Sequence, residues 1–113
     1  MSVLVVDSSE ETREVLRSAL EVRGVRTVVA RGGREAVAMV RNQRPTCIVI
    51  DVETTSLPDE WAGDDTPMVM IGMVERPQVA DRREFVSKPY HYGPLIRRIE
   101  ALLSQVRSPA AES

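Results

Sequence analysis

The stretch VLVVDSSEE, residues 3–11, decides the fold. Four apolar residues, most of them β-branched, run without a polar break into Asp7. That is how a strand buried on both faces reads, whereas a half-exposed strand alternates. Ser8 then begins an S-x-x-E spacing with Glu11, a capping box that opens a helix. Thr12, Val15, Leu16, Ala19 and Leu20 follow at helical spacing, and Gly24 ends the segment. A buried strand turning directly into an amphipathic helix is the opening of a parallel crossover unit. Strand ends that hold a divalent metal cluster their carboxylates. Here one Asp stands beside two serines, so the stretch reads as half a metal site, a dismantled one, or a helix cap.

The same alternation continues to the end of the chain. RTVVA (26–30) is a second strand, and GGREAVAMVRNQ a helix with Ala36, Val37 and Val40 inward. CIVID (47–51), PMVMI (67–71) and EFVS (84–87) are the third, fourth and fifth strands. Gly93-Pro94 opens a last helix with Pro at its first position. Its core stripe is Leu95, Ile99, Leu102 and Leu103, with Arg97, Arg98 and Glu100 facing water. Near-continuous apolar strands alternating with helices indicate a doubly wound α/β domain with a parallel sheet.

Two crossovers are undersized. VETTSLPDEWAGDDT, after the third strand, carries Pro58 and Gly63 and shows little apolar periodicity. MVERPQVADRR, after the fourth, barely reaches the about 10–12 residues that a helical crossover needs, and Pro77 interrupts it. The expectation is a third helix of a turn or two, a reduced or absent fourth helix, and a thinly covered far end of the sheet. Trp61, in the weak third-helix region, is expected to lie as a local lid on the core.

Composition narrows the function. The 113 residues suit one domain, residues 1–107, with 108–113 (polar and Pro-broken) as a flexible tail or linker. At 42% hydrophobic residues a packed interior is expected and wholesale disorder is not. A net charge of −2 and the lack of a basic recognition helix argue against nucleic acid as partner. No apolar run nears the ~20 residues of a membrane span, and no signal peptide is evident, so a cytoplasmic chain is expected. Cys47 lies inside CIVI and reads as a buried structural thiol. RGGRE lacks phosphate-loop spacing and is accounted for by a helix start. No nucleophile with its base is apparent, so no enzymatic activity is expected.

In open α/β sheets sites form beyond the carboxyl ends of the strands. Three strands here end in a charged residue: Asp7, Asp51 and Lys88, the last followed by Pro89. Fourteen of the fifteen basic residues are Arg, and Lys88 is the only lysine. At this point the sequence resembles the receiver domain of two-component response regulators. VLVVD, CIVID, PMVMI and FVSKP match that family in order and across nearly the whole chain. The resemblance implies a flavodoxin-like five-stranded parallel sheet of order 2-1-3-4-5. It also implies that Asp51 matches the phospho-acceptor, Asp7 the first metal acid, Lys88 the site lysine and Phe85 the switch aromatic.

The departures from the family matter more. The second acid of the first strand is Ser8, and the Thr or Ser at the end of the fourth strand is Gly72. The proline after the acceptor is missing or displaced to Pro58. Phosphoryl transfer depends on positioning and on neutralising charge on the equatorial oxygens. A metal carboxylate and a hydroxyl donor are both gone, and loss of one such donor can cost ~3–4 kcal/mol of transition-state stabilisation. The pocket Asp7, Ser8, Asp51, Gly72, Lys88 therefore reads as degenerate, with Ser8 capping the helix. Asp7 and Asp51 are expected to pair with Lys88. Glu53 is the one acid placed to replace the lost carboxylate, against the plainer reading of a solvated loop acid. Mg²⁺ enters only under the alternative, an atypical receiver still phosphorylated on Asp51.

A silent receiver resembles the pseudo-receivers of hybrid histidine kinases. The resemblance implies docking to a kinase catalytic or dimerisation domain, or to a neighbouring receiver, inside a longer protein. KPYHYGPLIRR gathers Tyr90, His91, Tyr92, Pro94, Arg97 and Arg98, with Arg76, Arg82 and Arg83 just before the fifth strand. Arginine forks bind phosphates and aromatic rings stack on bases. They raise a second expectation beside docking, a small anionic nucleotide site with cyclic di-GMP as the candidate ligand. Packing of the tyrosines on a partner domain, with solvated arginines and a plain loop histidine at His91, is the competing reading.

Overall fold

The structure, a computed structural model, describes residues 1–61, 65–73 and 83–112. Its elements are β1 (Ser2–Val6), α1 (Glu10–Val22), β2 (Arg26–Ala30), α2 (Gly33–Gln43), β3 (Cys47–Asp51), a 3₁₀ turn (Asp59–Trp61), β4 (Met68–Gly72), β5 (Arg83–Ser87) and α3 (Tyr92–Glu112). The five strands form one parallel sheet in the order β2-β1-β3-β4-β5, as the sequence leads one to expect.

Alternate residues of each strand face opposite sides of the sheet, which splits the core in two. Val3, Val5, Val49, Val69 and Ile71 pack beneath Leu16 and Leu20 of α1 and Leu95, Ile99 and Leu102 of α3. Leu4, Val6, Ile48, Ile50, Met68 and Met70 pack beneath Ala36 of α2 and Trp61 of the 3₁₀ turn. Burial of both strand faces explains the unbroken apolar runs. Trp61 is buried and covers the sheet where a longer third helix would lie, so that crossover carries a single turn among its described residues. The expected reduction of the fourth helix falls on residues 74–82, outside the described residues. β5 is less covered than β3 or β4, with Phe85 and Val86 half-buried.

Several local expectations are corrected. The cap of α1 is Ser9, whose Oγ accepts from Thr12 N at 3.2 Å, while Ser8 is exposed and its amide lies 3.4 Å from Thr54 Oγ1. The start shifts by one residue because Asp7 Oδ1 takes the Ser9 amide at 2.8 Å, which places Ser9 in the half-in position. Gly24 does close α1, at φ +81°, where a glycine avoids the Cβ penalty of the left-handed region. Val15 is exposed, and Arg13 occupies the inward position. α3 begins at Tyr92, one residue before the expected Gly93-Pro94 start, and runs to Glu112.

Candidate functional site

The parallel register sets the site. Val6 stands opposite Ile50, Asp51 opposite Ile71 and Gly72 opposite Ser87, so the residues one step beyond β1 and β5 arrive beside the end of β3. Asp7 and Asp51 are both buried, at 5% and 4% exposure. Asp51 Oδ1 accepts from the amides of Glu53 at 2.8 Å and Thr54 at 3.2 Å. Its Oδ2 lies 2.6 Å from the ammonium of Lys88. That lysine precedes a cis bond to Pro89, and its own amide donates to Gly72 O at 2.9 Å.

Among the described residues Asp7 has no such cation on its carboxylate. Oδ1 accepts the Ser9 amide, while the Arg13 guanidinium donates to the Asp7 backbone carbonyl at 2.7 Å. Burial raises the Asp7 pKa above the ordinary carboxylate value. The Ser9 amide lowers it, the Asp51 carboxylate raises it and Lys88 lowers it, and the balance stays upward. The expected sharing of Lys88 is therefore lopsided: it pairs with Asp51 and helps Asp7 only at longer range.

Above these groups opens a cavity of about 590 Å³, lined among others by Asp7, Asp51, Met73, Lys88, Tyr90 and Tyr92. The two tyrosine rings pack edge to face, centroids 5.5 Å apart at 84°. Burial, and then the neighbouring Tyr92, Asp7 and Asp51, push the Tyr90 phenol upward, which keeps it a neutral hydroxyl.

The end of β4 explains Gly72. A Cβ on Gly72 would lie 2.9 Å from Glu53 Oε2, 2.9 Å from Val52 Cγ2 and 3.4 Å from Phe85 Cζ. Glu53 reaches across from the loop after β3, and its Oε2 accepts from Met73 N at 2.9 Å. Glu53 is exposed, as the reading of a solvated loop acid expects, but its carboxylate is engaged by the Met73 amide and is not turned to Asp7 as a metal carboxylate. No local pattern marks this contact, because it joins residues far apart in sequence.

The donor set does not suit Mg²⁺. Among the described residues only Asp7 and Asp51 line the pocket with carboxylates, Ser8 is exposed on the loop, and Asp51 Oδ2 is held by Lys88. Among those residues no group of three or more His, Cys, Asp or Glu could hold a metal. Mg²⁺ sheds water reluctantly and asks for carboxylates in near-octahedral array. These residues do not make a strong site for it.

The aromatic and basic cluster is only partly assembled. Tyr90 and Tyr92 line the acidic cavity. Arg98 Nη1 donates to Glu84 Oε1 at 2.7 Å. Arg83, expected on the shelf, is instead 2% exposed and donates to the carbonyl of Trp61. Arg97 and His91 are exposed, and Arg76 and Arg82 lie outside the described residues. A second, smaller cleft of about 310 Å³ brings Phe85, Tyr90, His91, Pro94 and Arg98 together between β5 and α3. Cys47 is buried, as expected.

The comparisons with known proteins agree with this fold. No protein-family model matches the sequence. The chain is 32% identical over 129 residues to the response regulator MprA of Mycobacterium leprae; the match covers 100% of this chain and 56% of that regulator, so the chain spans about half its relative's length. The alignment is longer than the chain, so MprA carries residues that this chain lacks. The receiver domain of the Francisella response regulator 1452 superposes with a TM-score of 0.78 at 22% identity, covering 93% of this chain and 98% of that one. The receiver domain of the hybrid histidine kinase CckA gives 0.73 at 20% identity, covering 91% and 99%. Among the described residues no helix is long and apolar enough to cross a membrane.

Proposed function

We propose that this chain, a response-regulator receiver domain of two-component signalling, works as a pseudo-receiver, a regulatory module whose output does not depend on a phosphoryl group at Asp51. One observation carries the reading: at the end of β4 the position that would bear a hydroxyl is Gly72, and the space above it is taken by Glu53 and Val52, each 2.9 Å from a Cβ placed there. A side chain there would have to displace the Glu53 carboxylate and press on the buried Val52 before it reached the pocket. Together with the thin carboxylate set, this leaves developing phosphoryl charge with Lys88 as its nearest cation. The role that remains is docking, through the exposed β5–α3 side bearing His91, Arg97 and Arg98, to a histidine kinase catalytic or dimerisation domain or to a neighbouring receiver. Treatment with acetyl phosphate and Mg²⁺ followed by intact-mass detection tests it. The expected result is no stoichiometric adduct. One phosphoryl group per chain, absent in Asp51→Asn, would overturn it.

That outcome is the second reading, an atypical phospho-accepting receiver. It is favoured by Asp51 itself, which is held by two amides and Lys88 and lines the cavity of about 590 Å³. Under it, Asp7 and Asp51 would hold Mg²⁺ weakly. The cleft of about 310 Å³ supports a further ligand role, a cyclic dinucleotide such as cyclic di-GMP seated on His91 and Arg98. Binding there must compete with Glu84 for Arg98. A cyclic di-GMP titration followed by amide shifts of Tyr90, His91 and Tyr92 tests it; unmoved signals at millimolar ligand sink it.

A further inference from the structure

We infer that Glu53 is a built-in occupant of the end of β4: a carboxylate carried by the chain that takes the N–H donor an outside anion would use, and fixes this strand end in one arrangement. Met73 is 62% exposed and Glu53 is exposed too, yet the Met73 amide is held by Glu53 Oε2 at 2.9 Å. The amide of Glu53 donates to Asp51 Oδ1 at 2.8 Å, so backbone and side chain of one residue tie the ends of β3 and β4 together. The same Oε2 fills the space where a Cβ at residue 72 would stand, and the Phe85 ring borders that space at 3.4 Å. A charged acceptor on an amide makes a stronger bond than a neutral one. Gly72 and Glu53 are therefore a matched pair: the glycine admits the carboxylate, and the carboxylate closes the slot next to Phe85. The inference goes beyond phosphate independence and does not rest on it, because it concerns what holds the strand end.

Amide exchange and thermal melting of the full chain test it, with Glu53→Gln, Glu53→Ala, Gly72→Ala and the Glu53→Ala/Gly72→Ala double variant. Met73 N–H is expected to exchange slowly in the parent and in Glu53→Gln, which keeps an acceptor. In Glu53→Ala it should exchange about ten-fold faster, the factor matching one net hydrogen bond. Gly72→Ala should lower the melting temperature by roughly 5–10 °C through overpacking. In the Glu53→Ala background that drop should be smaller by the share that comes from pushing the carboxylate off the Met73 amide, with Val52 Cγ2 accounting for the larger remainder. Unchanged Met73 exchange in Glu53→Ala, or the same Gly72→Ala drop in both backgrounds, overturns the inference. A phosphoryl adduct on Asp51 would sink the preceding reading and leave these two measurements untouched.

Discussion

Lys88 and Asp51 form a 2.6 Å ion pair at the base of a pocket that also buries Asp7, so one ammonium serves two carboxylates, and serves one of them directly. Removing the cation leaves both acids desolvated. Breaking a fully buried pair costs about 3–5 kcal/mol. Lys88 is 26% exposed, however, and water can partly replace it. Lys88→Ala is expected to destabilise by about 1–3 kcal/mol in urea denaturation near neutral pH. The Lys88→Ala/Asp51→Asn double variant should recover most of that. An equal loss in single and double variants would mean that the lysine stem, and not its charge, is what the pocket needs.

Asp7 makes the opposite prediction. Its folded pKa is raised, chiefly by burial, so the fold favours the protonated form. The resulting penalty is absent below the unfolded value of about 3.9, grows as pH rises through the raised folded value, and is complete above it. Asp7→Asn keeps an oxygen for the Ser9 amide and removes the charge that faces Asp51. It is expected to be more stable than the parent at pH 7 by on the order of 1 kcal/mol. The two should converge as the pH falls toward about 3–4, since both are then neutral at this position. Urea midpoints measured across that range check it. A variant less stable than the parent at pH 7 would mean that Lys88 and Ser9 outweigh burial.

The strands and the strand-end triad were legible in the sequence because burial on both faces leaves an unbroken apolar run, and because Asp7, Asp51 and Lys88 each terminate one. Register then does the rest: parallel pairing of Val6 with Ile50 and of Gly72 with Ser87 brings those ends together without further information. What the sequence hides is side-chain reach. Glu53 and Met73 are 20 positions apart, and nothing local tells that the acid will lie over Gly72 on its way to that amide. The cap was off by one because Ser8 and Ser9 both suit it, and the choice rests with the Asp7 carboxylate on the Ser9 amide. Arg83 has the composition of a surface ligand group, yet its place opposite Met68, a buried neighbour, turns it inward to the Trp61 carbonyl. Proximity in sequence likewise suggests that the two tyrosines and Arg98 act on one face; Tyr90 does line the β5–α3 cleft with Arg98, whereas Tyr92 lines the acidic cavity and Arg98 is engaged by Glu84.

Cys47 gives a measure of the whole core. It opens β3 at 0% exposure, in the same cluster as Ile99, Leu102 and Leu103 of α3. Burial, and then the Glu84 carboxylate, push the thiol up to about 12, so almost none of it is thiolate at a working pH of about 8. A thiol reagent can therefore reach it only when the sheet opens. Labelling of the parent at that pH is expected to be slow and to follow global unfolding, with a rate that rises steeply in denaturant. Leu102→Ala removes a side chain that is 2% exposed in the same cluster, and should cost about 2–5 kcal/mol. It should speed labelling in proportion, because the same opening then needs less free energy. If Cys47 reacts rapidly in the parent while circular dichroism still reports the folded state, the α3 side of the core opens locally, and the packing of Leu102 and Leu103 over β3 does not seal it.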